Sequence, residues 1–194
     1  MRDKLTIQAI KQGFRARSYF KIKEIDQKFK IFQKNDLVLD LGCWPGGWII
    51  YALSKIGPSG FVTGIDLRAI DPLPESNYKF IKGDITNPNL IKKLRYFNII
   101  ISDLSPKTTG IRDLDQLKSF QLSQQALNIA KKHLKNNGQL LVKTFQSEDT
   151  IHLLKELKKY FNKIRTIKPS SSKKRSKEVY VLASEFRDKI NTKP

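Results

Sequence analysis

Cysteine and histidine are scarce in this chain of 194 residues, with one Cys and two His. A single thiol cannot form an intrachain disulfide, and three such ligands fall short of the four that a structural zinc site usually takes. No apolar run approaches the ~20 residues that span a bilayer. A secretory leader is not expected at the start of the chain, because Lys4, Gln8, Lys11 and Gln12 interrupt any apolar stretch there. A reducing cytoplasm is therefore the expected compartment, with neither a metal nor a membrane involved. Acidic residues are also short. Eighteen Asp and Glu stand against 37 Lys and Arg, a formal net charge of +19. That excess on a chain of one-domain length implies a polyanionic partner. Nucleic acid fits better than a membrane surface, since no basic amphipathic helix stands out.

What is present is an alternation of strand-like and helix-like patterns. Apolar, β-rich runs occur at Leu37–Leu41, Phe61–Ile65, Tyr78–Ile81, Phe97–Ser102, Gln139–Phe145 and Val179–Ala183, with a weaker one at Lys163–Ile167. Continuous runs such as Ile99-Ile100-Ile101 suit a parallel sheet covered on both faces. Between them lie helical stripes: Ile22, Ile25 and Phe29, with Ser18 as a possible cap; Leu114, Leu117, Phe120, Leu127 and Ala130, closed by Asn137-Gly138; and Ile151, Leu154, Leu157 and Phe161, opened by Ser147. These stripes are expected to be core faces. The fold class is α/β: a doubly wound, seven-stranded, mostly parallel sheet with helices on both faces. The connection between the last two strands is too short for a helical crossover, so they should form an antiparallel hairpin. A single domain is expected over 1–194, with a basic segment at 1–17 and a mobile tail at 185–194. A monomer is expected because no exposed apolar helix calls for a partner.

Asp40-Leu41-Gly42-Cys43-Trp44-Pro45-Gly46-Gly47-Trp48 links the first run to a helix. Glycines at the carboxyl end of a strand let the backbone approach a ligand, and a helix start offers free N–H groups. Asp66 lies 20 residues beyond Gly46, where nucleotide-binding α/β units place a carboxylate for ribose hydroxyls. The dinucleotide pattern G-x-G-x-x-G is absent, because position 44 is Trp. A nicotinamide oxidoreductase is thereby disfavoured.

D-L-G-x-x-P-G-G-W resembles the cofactor loop of S-adenosylmethionine-dependent methyltransferases, in particular the FtsJ/RrmJ (RlmE-type) family of RNA ribose 2′-O-methyltransferases. Four further segments resemble that family. Arg15-x-Arg17-Ser18-x-x-Lys21-Ile22-x-Glu24-Ile25 precedes the loop, Ser102-Asp103-Leu104-Ser105-Pro106 ends the fourth run, and Val142-Lys143-x-Phe145-Gln146 ends the fifth. Pro169 to Tyr180 matches the pattern P-x-S-S-R/K-x-x-S-x-E-x-Y. The resemblance spans roughly residues 13 to 184. It departs at Cys43-Trp44, where small residues are common, and at Lys173, where Arg is usual. The segment after Asp103 holds no aromatic of the kind amino-group methylases use against a flipped base. Position 107 is Lys rather than the Cys nucleophile of RNA 5-methylcytosine enzymes. Oxygen methylation remains.

The resemblance implies a catalytic tetrad of Lys21, Asp103, Lys143 and Glu178. By the same carry-over, Gly46, Gly47 and Trp48 would line the methionine end of S-adenosylmethionine, with Gly42 also binding the cofactor. Asp66 would bind the ribose hydroxyls, Asp84 and Ile85 would meet the adenine, and Asp103 would close the cofactor site. Asp84 could equally cap the helix that follows it. RNA phosphates would meet Lys4, Lys11, Arg15, Arg17, Lys173, Lys174, Arg175 and Lys177. The expected substrate is a uridine of large-subunit ribosomal RNA, in assembled or assembling subunits. The alternatives are a tRNA 2′-O-methyltransferase and a non-catalytic ribosome-assembly factor.

Overall fold

The computed structural model describes residues 16–172 and 176–187. Its centre is a seven-stranded sheet of β1 (Leu37–Leu41), β2 (Phe61–Asp66), β3 (Tyr78–Lys82), β4 (Phe97–Ser102), β5 (Leu134–Phe145), β6 (Phe161–Ile167) and β7 (Glu178–Phe186). The order is β3-β2-β1-β4-β5-β7-β6. The pairs β1–β2, β2–β3, β1–β4 and β4–β5 are parallel, and β7 is antiparallel to both β5 and β6. The last two strands thus form the expected antiparallel hairpin.

Alternation along each strand supplies two cores. Leu39, Leu41, Ile100, Leu140 and Val142 face α4 (Arg112–His133) and α5 (Glu148–Lys158). Val38, Val62, Ile99, Ile101 and Leu141 face α1 (Ser18–Phe29) and α2 (Gly47–Ile56). A four-residue helix, α3 (Pro88–Ile91), follows β3; Asn87 caps it by accepting from Asn89 N–H at 3.0 Å. No helix of the described residues is long and apolar enough to cross a membrane.

Several local expectations give way. Ser18 is the first residue of α1 rather than its cap; Arg17 precedes the helix without a side-chain cap. Helix α4 ends at His133, not at Asn137-Gly138, because Leu134 already pairs with Phe97 across a register shift in β5. Strand β7 runs to Phe186, whose ring packs on Phe161 at 5.2 Å, so 185 and 186 belong to the sheet rather than to a tail. Residues 188–194 of that tail lie outside the described residues. Leu114, Leu117 and Ile151 are exposed, the last at 55%. The exposure of Leu114 and Leu117, with Ile111 beside them, removes the ground on which a monomer was expected.

Candidate active site

The carboxyl ends of β1 to β5 point to one edge of the sheet, where β7 begins. Along that edge the strand order sets the candidate residues in a row: Asp84 after β3, Asp66 at the end of β2, the glycine loop after β1, Asp103 after β4, Lys143 near the end of β5 and Glu178 at the start of β7. Asp66 and Lys143 sit three strand spacings apart, roughly 14 Å.

At one end of the row, four side chains converge with a fifth at their centre. Lys143 Nζ donates to Asp103 O at 2.7 Å and pairs with Asp103 Oδ1 at 3.0 Å. Lys21, buried on the inner face of α1, forms an ion pair with Glu178. Between the two pairs lies the Tyr180 hydroxyl, 2.6 Å from Asp103 Oδ1, 2.8 Å from Glu178 Oε1 and 3.3 Å from Lys21 Nζ. Burial, reinforced by the charges of Asp103 and Glu178, pushes the Tyr180 phenol well above its ordinary value. It therefore keeps the proton that it donates, to one carboxylate at a time. Burial drives the Asp103 carboxyl upward, but Lys143, Lys21 and the Tyr180 hydroxyl outweigh it and hold it below its ordinary value. The structure thus brings Lys21, Asp103, Lys143 and Glu178 together, as the sequence resemblance implies. Tyr180 is the member that sequence reasoning missed. Its signal was present: in a strand, positions 178 and 180 share a face.

Local structure explains the placement. Lys143 lies opposite Tyr180 in the β5–β7 ladder, and Phe145 lies opposite Glu178. The Ser123 hydroxyl on α4 is 3.0 Å from Lys143 O and fixes the strand from behind. Helix α1 is held over the site by the Trp48 indole, which donates to Ser18 O at 2.8 Å and packs on Tyr180 at 5.8 Å between ring centroids. Trp48 is only 3% exposed, so its ring is a packing element, and the helix start around it offers backbone.

At the centre of the row the glycine loop comes close to the loop after β4. Gly42 has φ +78°, and a Cβ there would lie 2.8 Å from Leu104 Cδ2. Gly46 precedes α2 at φ +104°. Cys43 is buried against Gly64, and burial, with Asp40 and Asp66 nearby, pushes its thiol far above its ordinary value, so it is inert filling. Trp44 is 47% exposed and carries the Arg68 guanidinium over its ring at 4.9 Å. Asp66 accepts from Trp44 N–H at 2.9 Å and Arg68 N–H at 2.8 Å. Asp84 Oδ1 accepts from Thr86 N–H and Thr86 Oγ, both at 2.8 Å, which closes a turn; the helix that follows is capped by Asn87 instead. Ile85 is buried beside it.

Beneath the loop, Asp40 is fully buried, and neither carboxylate oxygen has a hydrogen-bond partner among the described residues. Burial, with the charges of Asp103 and Asp66, pushes its carboxyl well above the usual range. Three acids around a glycine cradle fit a ligand that brings positive charge, as the ammonium and sulfonium of S-adenosylmethionine do.

Of the residues expected to meet RNA, Arg17 and Lys177 are described; Lys4, Lys11, Arg15, Lys173, Lys174 and Arg175 lie outside the described residues. The Arg17 guanidinium donates to Ser171 O at 3.0 Å. Glu24 on α1 ties down the same turn. It accepts from Ser170 N–H at 2.7 Å and Ser171 N–H at 3.2 Å, and from both serine hydroxyls.

Comparison with known proteins points the same way. The sequence pattern of the family described as FtsJ-like methyltransferase matches residues 14–186. The chain is 40% identical over 190 residues to the ribosomal RNA large subunit methyltransferase E of Methanobrevibacter smithii, covering 95% of this chain and 90% of that one. It is 43% identical over 184 residues to the protein of the same name from Desulfatibacillum aliphaticivorans, covering 93% and 89%. Among solved structures, a Plasmodium falciparum protein assigned as a ribosomal RNA methyltransferase superposes with a TM-score of 0.78 at 29% identity, covering 89% of this chain and 98% of that one. Aeropyrum pernix fibrillarin, solved with S-adenosyl-L-methionine bound, shares the fold at a TM-score of 0.58 and 16% identity, covering 78% and 67%.

Proposed function

The chain belongs to the FtsJ-like methyltransferase family, and from that premise we propose that it moves a methyl group from S-adenosylmethionine to a ribose 2′-hydroxyl of large-subunit ribosomal RNA, at a uridine. The observation that carries this reading is the Lys143–Asp103–Tyr180–Glu178–Lys21 network beside the glycine loop. It holds two amines and two acids but no thiol, which suits an oxygen acceptor.

The cofactor supplies an electrophilic methyl on a sulfonium; the O–CH3 bond forms as the S–CH3 bond breaks, and its electron pair stays on sulfur. Everything else falls to the chain. A ribose hydroxyl is a weak nucleophile at neutral pH and must lose its proton as it attacks. Lys143 is the amine assigned to that oxygen. Its Nζ spends two directions on Asp103, through the backbone carbonyl and the carboxylate, which leaves a third for the acceptor. It takes the proton or donates to the oxygen as negative charge develops there. Asp103 and Tyr180 fix where that amine sits, and Lys21 with Glu178 fixes the other end of the network. Asp66 accepts from the ribose hydroxyls of the cofactor, with Asp84 and Ile85 at the base. Asp40, Asp66 and Asp103 balance its positive charge. Arg17 and Lys177, with the other basic residues of both segments, neutralise phosphates.

The test is transfer of labelled methyl from S-adenosylmethionine to large subunits isolated from a strain lacking the gene, with bulk tRNA as a second arm. Label in the large-subunit RNA is expected. Label confined to tRNA would move the substrate. Cofactor binding by calorimetry without transfer to either RNA would make the protein a non-catalytic assembly factor.

A further inference from the structure

Beyond the tetrad, the edge of the sheet carries a separate hollow. A cavity of about 270 Å³ lies between the first turns of α4 and the ends of β5 and β7, lined by Arg112, Asp115, Gln116, Phe145, Ser176 and Lys177. We propose that this cavity receives one unstacked nucleobase of the RNA substrate, from the target nucleotide or its immediate neighbour; the inference rests on the reading of the chain as an RNA methyltransferase.

Position is the first argument. Phe145 is two residues beyond Lys143 on β5, so it shares a face with that amine about 6.6 Å further on. It lies opposite Glu178 in the ladder. Ser176, another wall residue, accepts from Glu178 N–H at 3.2 Å. A base seated here therefore belongs to a nucleotide whose ribose lies within reach of Lys143. The volume falls just below the ~300–1,000 Å³ of ordinary small-molecule sites, which suits one planar ring.

Chemistry is the second. Phe145 is half-buried and offers a ring for stacking, which every base accepts. Gln116 is steadied by donating its Nε2–H to Gln146 O at 3.3 Å, and it brings an amide oxygen that can accept from a base N–H. Arg112 and Lys177 supply positive charge for flanking phosphates. Asp115 would repel RNA if its charge were bare. Instead it accepts from Thr109 N–H at 2.7 Å, Thr109 Oγ at 2.9 Å and Gly110 N–H at 3.2 Å, which ties its carboxylate into the α4 entry.

The experiment uses the full chain and large subunits from a strain lacking the gene, grown on 4-thiouridine. Irradiation of the complex should give an adduct on the peptide carrying Phe145 or on that carrying Arg112 and Gln116. The crosslinked nucleotide, being the methylated one or its neighbour, identifies the source of the base. In steady-state assays Phe145→Ala should lower kcat/KM for subunits at least tenfold through KM, and Phe145→Tyr should restore most of it. Cofactor affinity should be unchanged in both. Should Phe145→Ala fail to fold, the exposed Arg112→Ala serves: a raised KM and a salt-dependence slope smaller by about one are expected. Wild-type transfer with neither variant affecting KM, or with adducts only elsewhere, would overturn the cavity's role and leave the enzyme standing. Absence of transfer by the wild type would remove both.

Discussion

Replacing Tyr180 by Phe deletes one oxygen and leaves the ring packed on Trp48. That oxygen is the only described atom that touches both carboxylates of the tetrad, at 2.6 Å from Asp103 and 2.8 Å from Glu178. A buried hydrogen bond to a charged group contributes about 1.5–3 kcal/mol. A central loss of ~2 kcal/mol, at 2–4 °C per kcal/mol for a chain of this size, lowers the melting temperature by roughly 4–8 °C. If the same bond holds Asp103, and through it Lys143, in the reacting geometry, ~2 kcal/mol on the barrier is about a 30-fold fall in kcat. Asp103 is the one cofactor-site residue that the Tyr180 hydroxyl touches, and it keeps its Lys143 partner in the variant, so cofactor affinity should stay within about twofold. The assay is single-turnover methyl transfer to undermethylated large subunits at saturating cofactor, with calorimetry for binding and a thermal melt for stability. A Tyr180→Phe enzyme that melts several degrees lower yet turns over at the wild-type rate would refute the positioning role and leave Tyr180 as packing alone.

Four further outcomes follow from the same geometry. Cofactor affinity should rise with pH across the elevated range of Asp40, because a cation favours its ionised form; calorimetry in buffers of different ionisation enthalpy should detect proton release on binding. The uncharged sulfide product should show a weaker pH dependence. Asp103 has a depressed carboxyl, so its stabilising contribution is present above the unfolded value near 3.9 and is lost as pH falls through the folded one. Lys143→Ala removes the first of the charges that depress it, so acid unfolding followed by circular dichroism should begin at a higher pH in that variant. Gly42→Ala must adopt φ +78° and meet Leu104, and should cost about 2 kcal/mol in urea denaturation while weakening cofactor binding. Glu24→Ala releases four donors of Ser170 and Ser171, and should raise KM for subunits more than it lowers kcat, measured in the same transfer assay.

Much of this arrangement was legible because its signals are local. Seven apolar runs mark seven strands, and segments that resemble the family's motifs carry Lys21, Asp103, Lys143 and Glu178, which is why those four could be named before any coordinate. The misses came from interactions that sequence spacing does not encode. Helix α4 stops at His133 because Phe97, far away in the chain, offers Leu134 a partner. Leu114 and Leu117 keep helical spacing with the core residues, yet both are exposed. The packing of the Trp48 indole was likewise not legible: its N–H donates to Ser18 O, 30 positions earlier. Asp40 reads as one more motif residue, and only the structure shows it buried with no hydrogen-bond partner among the described residues. Tyr180 ends a motif in the sequence, and its role rests on strand alternation and on a β5 neighbour that sequence spacing does not reveal.

The most direct test is the chemical position of the transferred methyl. Large subunits labelled by the wild-type enzyme, digested to nucleosides and resolved by mass spectrometry, should yield a 2′-O-methylated uridine. Lys143→Ala should bind S-adenosylmethionine normally and yield none. A label on a base carbon or nitrogen, or undiminished ribose methylation by Lys143→Ala, would contradict the account.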